Sequence, residues 1–414
     1  MQRRIQVALI ATAVSVGTTA VHAGPHGYDL HNTLAPASAG LAGTSIASPQ
    51  DTVSAVFGNP ATLGSFRGTQ FTFGASFYQP EAKLTHDGSV VGKGPFSANS
   101  STEVFPVPQI AVTQDLEGLG LPATLGLGLT ATSGIGADFK GEPASGGTSA
   151  EFVVFGVNAA LGYRVNENLN LGVSTTISYA TLDLGLQNLV PPGADFAFGS
   201  SGQTHDLGLR ATLGATYDFG DTTLGAFYQT KQRHKFDNLV VDGTGSFQSP
   251  TIEQPANIGV GISNKTLMDG NLLLMADVLY KDWSSADFWG DIYDDQWVFS
   301  VGAQLTRNNL HYRLGYGYAE DPTRANVSGL GNLAIPPPAI EYLQGAQAQV
   351  IYEHRITAGL GWDDFLAPGL NLDLSGGWQF KEDRDYGTGS LPGGGHTNAE
   401  TYSWHVGFGL TWQF

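Results

Sequence analysis

The sequence predicts an all-β protein: a 14-stranded antiparallel transmembrane β-barrel with an N-terminal hatch, or plug, in its lumen. Three observations carry this reading. In Thr401 to Phe414, Tyr402, Trp404, Val406, Phe408, Leu410, Trp412 and Phe414 alternate with Thr401, Ser403, His405, Gly407, Gly409, Thr411 and Gln413. Period-2 alternation puts the two sets on opposite faces of a strand, and an aromatic-rich apolar face ending the chain fits lipid contact. The same pattern recurs along the chain, with connections alternately short and long. The composition agrees: no Cys, 56 Gly, and charged residues at only 14%, against about a quarter in ordinary globular domains.

The chain opens with Arg3 and Arg4 ahead of the apolar run Val7 to Val16, then Val21-His22-Ala23. That order predicts a secretory signal over residues 1–23. No later segment reaches the roughly 18 apolar residues of a spanning helix, so any span is β. Gly24 to Gly64 does not alternate and is rich in Gly, Ala, Ser and Thr. Small residues pack backbone closely, so residues 24–65 are expected to fold back as the hatch, leaving residues 66–414 for the barrel. Clear strands run through Leu169–Tyr179, Leu207–Tyr217, Trp297–Leu305 and Leu370–Phe380. Weaker ones start near Arg67, Phe105, Ala123, Phe152, Thr222, Ala256, Leu272, His311 and Val350. Short turns fall at Asp115–Pro122, Asn166–Asn168, Gly220–Asp221, Leu267–Asn271, Arg307–Asn309 and Asp363–Gly369. Long loops fall near Thr85–Val104, Ser133–Ala150, Gly185–Thr204, Asp237–Glu253, Ser284–Gln296, Ala319–Gln349 and Glu382–Glu400. Outer-membrane barrels have this asymmetry, with the short turns in the periplasm.

The polar face fixes the register. Arg164, Arg210, Arg313, Arg355, Asp277 and Asp373 all fall opposite the apolar set of their strands. An Arg facing lipid near the midplane costs roughly 2–4 kcal/mol, so these groups belong in the lumen. The net charge of −18 excludes a nucleic-acid partner, whose phosphates need Lys and Arg.

Several motifs then resemble the FadL/TodX family of outer-membrane hydrocarbon transporters. They are Asn59-Pro60-Ala61 before the first strand, Val107-Pro108-Gln109 entering the second, and Glu253-Gln254-Pro255-Ala256 entering a middle one. Asp277 to Ser284, Arg313 to Tyr318 followed by Asp321-Pro322, and the terminal Phe414 complete the set. The resemblance implies uptake of long-chain fatty acids or, in relatives, aromatic hydrocarbons, through a barrel plugged by a hatch that carries the Asn-Pro-Ala turn. It also implies an inward kink of the third strand, for which Gly126, Gly128 and Gly134 are the candidates here.

Such a task needs an exposed apolar capture surface among the external loops. Leu186, Leu189, Phe196 and Phe198 in one loop, Leu239 and Val241 in the next, and Leu330 to Ile340 in a third supply apolar side chains. For a fatty-acid carboxylate, Arg210, Arg313 and Arg355 are candidate lumen partners, because guanidinium forks bind carboxylates; the alternative is that they pair with lumen acids such as Asp277 or Glu353. Leu273, Met275 and Leu279 fall on the lumen face and would make part of the path greasy. The partners expected are therefore a hydrophobic small molecule, outer-membrane lipid and lipopolysaccharide, with the chain a monomer. No catalytic or cofactor motif stands out. Gly126-x-Gly128-x-x-Ala131 and Gly329-x-Gly331-x-x-Ala334 lack a βαβ context, and His26, Asp29 and His31 are not expected to hold a metal. The competing class is an outer-membrane lipid hydrolase using His205 with Asp206, or His405; an adhesin is a further one.

Overall fold

The computed structural model describes residues 29–185, 199–200, 202–241, 246–331, 333, 335, 337–349, 352–387 and 394–414. The candidate leader and the loop residues Leu186, Leu189, Phe196 and Phe198 lie outside the described residues.

Fourteen strands close into an antiparallel cylinder. They are β1 Thr69–His86, β2 Phe105–Asp115, β3 Ala123–Asp138, β4 Ser149–Arg164, β5 Leu169–Gly185, β6 Thr204–Asp218 and β7 Thr222–Gln229. β8 Ala256–Leu267, β9 Leu272–Asp282, β10 Gln296–Arg307, β11 Leu310–Ala319, β12 His354–Trp362, β13 Leu370–Tyr386 and β14 Thr397–Gln413 complete the wall. Each strand pairs with the next, and β14 closes on β1 from Gln70↔Gln413 to His86↔Thr397. Closure pairs each strand on both sides over most of its length, which a hydrocarbon environment demands. The alternation sorts the faces as expected. Phe73, Leu127, Leu171, Leu213, Val260, Leu314 and Val406 stand exposed outside, while Thr72, Asn158, Thr176, Thr212, Thr401, Ser403 and His405 are buried inside. Trp297, Tyr316 and Trp378 are exposed toward the long-loop end, and Tyr163, Tyr217, Trp362 and Trp412 toward the short-turn end, where aromatic girdles sit.

Two long-loop estimates were too generous. β3 runs on to Asp138 and β4 resumes at Ser149, while β13 runs to Tyr386 and β14 resumes at Thr397. The walls rise past the apolar band because these polar upper segments still pair with each other.

Residues 29–65 lie within the bore. They contain a 3₁₀ turn Ser38–Leu41, the helix α1 Thr52–Phe57, and a second 3₁₀ turn Pro60–Ser65. Asp51 organises them: it caps α1 by accepting from Ser54 N at 2.7 Å and accepts from Ala37 N and Ser38 N at 3.1 and 3.0 Å. Asn32 ties the two ends together through Ser45 Oγ and Ser54 O. A second helix, α2 Pro337–Gln347, lies among the external loops and is buried along its length from Ala339.

Candidate functional site

The hatch is seated on the wall through glycines. Gly162, Gly172 and Gly214 face one another across β4, β5 and β6, and the Asn59-Pro60-Ala61 turn lies on them. A Cβ on Gly172 would stand 2.7 Å from Pro60 O and overlap Ala61 N; one on Gly162 would stand 2.8 Å from Leu63 Cβ and 2.9 Å from Pro60 O. Only a residue without a side chain lets the two backbones approach this closely. Asn59 is fully buried. Its Oδ1 accepts from Ala61 N at 3.2 Å, and its Nδ2 donates to Ile46 O at 2.9 Å and to Ala215 O in β6 at 3.1 Å. Further round the wall, Asp277 accepts from Ser45 N and Ile46 N at 2.7 and 3.1 Å, and Ala42 N donates to Thr357 Oγ1 at 2.8 Å.

Gly126 and Gly128 also serve the hatch: added Cβ atoms there would meet Val56 Cγ2 at 2.8 Å and Phe57 Cε2 at 2.7 Å. The irregularity of β3 lies elsewhere, between Ala131 and Ser133, just before Gly134. The β2–β3 ladder ends at Gln109↔Thr130. Above it, the hatch supplies the missing partner: Leu30 N donates to Thr132 O at 3.0 Å, and Asp29 bridges Ser133. Higher still, Ser101 N donates to Asp138 O at 2.8 Å. The wall between β2 and β3 is thus unladdered over one stretch.

The three lumen arginines are engaged, Arg313 with a lumen acid, Asp373, and among the described residues none of them with Asp277 or Glu353. Arg313 donates to Asp373 Oδ1 at 2.5 Å and Gln304 Oε1 at 2.6 Å, toward the short-turn end. Arg210 donates to Thr230 O and Pro255 O at 2.8 and 2.5 Å and lies 3.9 Å from Asp29 Oδ2. Arg355 donates to Ala42 O and to Ser300 Oγ at 3.3 Å, neither of them charged, and its Nε has no partner among the described residues. Asp277 serves the hatch backbone instead.

Sequence reasoning missed the centre of this cluster. Lys281, fully buried on β9, donates to Asp29 O at 2.9 Å and lies 3.8 Å from Asp29 Oδ2. Asn257 Nδ2 donates to the same carboxylate at 2.5 Å. Burial opposes ionisation of Asp29, but Lys281, Arg210 and the Asn257 bond outweigh it and hold its pKa at about 2. His31 stacks on Phe227 with ring centroids 5.3 Å apart. Burial, with Lys281, Arg210 and Arg355 and against the pull of Asp29, pushes its imidazole down to about 4, so it is neutral near pH 7. Leu279 packs beside Ile46 and Phe227, and Met275 is buried on the same strand face; the two alternate with Asp277 and Lys281.

Among the described residues, the apolar side chains of the loops do not form an open patch. Leu239, Val240, Leu330, Leu333 and Ile340 are buried in one core with Phe152, Leu182, Trp289 and Ile292. Val241 is half-buried, and Phe247 is exposed at 59%. The physical reason is the height of the walls, which lets the loops fold inward over the mouth and bury their apolar side chains against β3, β4 and β5. The hydrolase candidates do not meet either: His205 stands exposed against Tyr179 on the outer face, and His405 is buried in the bore.

A closed cylinder with an oily exterior, a polar bore and its own N-terminal segment inside that bore is the architecture of a plugged outer-membrane channel. The chain belongs to the family of outer membrane protein transport proteins (OMPP1/FadL/TodX), whose pattern matches residues 14–331. It is therefore a transport protein of the outer membrane. Its fold is similar to the crystal structure of a Pseudomonas aeruginosa FadL homologue, at TM-score 0.72 and 16% identity over 94% of this chain and 100% of that one. It is also similar to the P. putida toluene transporter TodX, at TM-score 0.66 and 19% identity over 94% and 99%. The Ralstonia pickettii toluene transporter TbuX gives 0.62 and 18% over 94% and 99%. At these identities the likeness is one of fold. No curated protein sequence matches the chain.

Proposed function

We propose that the protein is an uptake channel for hydrophobic small molecules and that long-chain fatty acids are its main cargo. The observation that carries the reading is the charge pattern of the bore. Arg210 and Lys281 share the single carboxylate of Asp29, and Arg355 binds only neutral acceptors. Beneath an apolar cap, that local excess of positive charge around Asp29, at one level of a bore that also holds the acids Asp51 and Asp277, suits an amphiphile that ends in a carboxylate. Release then needs movement of the hatch, which residues 24–65 provide behind a cleaved leader of residues 1–23, within the barrel of residues 66–414. The Asn59-Pro60-Ala61 turn is the element that gates. The unladdered stretch between β2 and β3, next to Gly134, is a route for sideways exit into the bilayer.

A second reading is supported by the uncharged loop core and by the names of TodX and TbuX as toluene transporters: this chain carries aromatic hydrocarbons, for which the bore cations are only structural. One experiment separates the two. Proteoliposomes are offered labelled oleate or labelled toluene, with wild type and Arg355→Gln. Losing a charge-assisted hydrogen bond of roughly 1.5–3 kcal/mol predicts at least a tenfold slower oleate uptake with toluene unchanged. Equal effects on both, or uptake of toluene alone, would reject the fatty-acid reading.

A further inference from the structure

We propose that Glu353, His354 and Glu382 form a site for a divalent cation of the zinc class, which clips β12 to β13 at the outer rim of the barrel. The site does not depend on what the channel carries. The donor atoms of the three side chains all lie within 4.8 Å of one another. Zinc bonds of about 2.0–2.2 Å set tetrahedral ligands about 3.4 Å apart, so at most about 1.5 Å of side-chain movement closes the site. Each ligand is held by a different device. Glu353 precedes β12, and its carbonyl accepts from Ala319 N at 2.9 Å, so β11 fixes its backbone. His354 opens β12, with its Nδ1 2.7 Å from the Tyr316 hydroxyl. With Nδ1–H donating to that hydroxyl, Nε2 keeps its lone pair for the ion, the usual support of a metal-bound imidazole. Glu382 follows a step in register from Gln379↔Ser403 to Glu382↔Thr401. β13 thus carries one extra residue there, a bulge that re-aims the side chains after it.

The local charge calls for a cation. Two carboxylates this close repel each other, and among the described residues neither Glu353 nor Glu382 has a Lys or Arg partner. Lys381 and Arg384, the cations beside Glu382 on β13, turn instead to Glu400 and Asp321. Arg355, beside Glu353 in sequence, donates to Ala42 O and Ser300 Oγ. An ion would supply the missing charge. One imidazole nitrogen with two carboxylates suits zinc and its neighbours better than calcium or magnesium, which take oxygen ligands. The position of the site gives the ion its task. The β12–β13 ladder ends at Arg355↔Gln379. Above it, β13 stays paired with β14 up to Tyr386↔Thr397, while β12 is entered from the segment that carries α2. The three ligands therefore span the fork where the two strands part. An ion that binds only the closed fork makes its opening about a hundredfold rarer at 100 times the dissociation constant.

The test titrates the untagged protein, stripped with a chelator in detergent micelles, with Zn²⁺ against a chromophoric zinc indicator. An unheated gel verifies that each variant is a folded barrel. Wild type should bind one equivalent. Tyr316→Phe, which removes only the partner of His354, should weaken binding by roughly tenfold or more, and Glu382→Gln and His354→Ala should weaken it further. His205→Gln, at an exposed histidine on the outer face, should match wild type. The second readout is amide hydrogen exchange with and without Zn²⁺. Exchange should slow over residues 352–355 and 380–384 in wild type and stay unchanged in Glu382→Gln. Binding that survives both Glu382→Gln and His354→Ala would overturn the proposal. So would binding with no slower exchange at the fork, or a preference for Ca²⁺ over Zn²⁺.

Discussion

Replacing Gly172 with Ala tests whether the hatch is held by close packing on the wall. The new methyl would stand 2.7 Å from Pro60 O and nearer still to Ala61 N, where ordinary contact begins near 3.5 Å. β5 cannot retreat, because it is paired on both sides along its length. The Asn59-Pro60-Ala61 turn must then move by roughly 1 Å, which overpacked sites resist at a cost of about 1–3 kcal/mol. That displacement stretches the Asn59 bond to Ala215 O, now 3.1 Å, past hydrogen-bonding distance, at about 1 kcal/mol. The total, on the order of 2–4 kcal/mol, lowers the seated-to-unseated ratio of the hatch by a factor of about thirty or more. Planar-bilayer conductance and protease sensitivity of residues 29–65 read this directly. Gly118→Ala is the control, since nothing stands within 4 Å of its added Cβ. Gly172→Ala should show frequent open events and a cleavable hatch, and Gly118→Ala should match wild type. If the two variants behave alike in folded barrels, the packing argument is wrong.

Three other outcomes follow from the same geometry. Asp29 ionises with a pKa near 2 instead of 3.8, so its share of hatch docking, about 2 kcal/mol, is complete above pH 4 and is lost as pH falls toward 2. Protection of the hatch from proteolysis should therefore fall first between about pH 6.5 and 4, as His31, with a pKa of about 4 when seated against 6.5 when free, takes up a proton, and again toward pH 2; protection that stays flat down to pH 4 would contradict the buried cluster. Leu213→Arg, on the outer face of β6, should cost roughly 2–4 kcal/mol in folding into vesicles; a value near zero would mean that this face does not meet lipid. Asn59→Ala removes two donated bonds and one accepted bond; it should raise conductance less than Gly172→Ala does, because it leaves no overlap, and a larger rise would reverse that ranking.

The wall was legible in the sequence because membrane and lumen impose opposite demands on alternate residues. The period-2 signal of β14 and the burial of Arg210, Arg313 and Arg355 follow from that one rule. The hatch was legible as a run of small residues carrying Asn59-Pro60-Ala61, but its seat was not. Glycines such as Gly126 and Gly172 look alike in a strand, and only the path of a distant segment decides which of them it rests on. Lys281 escaped notice for a similar reason. Its parity with Asp277 puts it in the bore, yet the carboxylate that makes burial tolerable, Asp29, lies 252 residues away. α2 was hidden because Pro336-Pro337-Pro338 reads as a loop, and a helix buried on all sides shows no amphipathic period.

The most direct test of the plugged barrel joins the hatch to the wall at one point. Thr52 and Thr72 meet with their hydroxyls 2.5 Å apart, close to a disulfide's S–S length, and no other Cys competes. In outer membranes, Thr52→Cys with Thr72→Cys should form a single intramolecular disulfide, seen by mass spectrometry as one linked peptide pair between α1 and β1. Two thiols that stay free, and that react with a bulky maleimide added from solution, would place the N-terminal segment outside the bore and contradict the account.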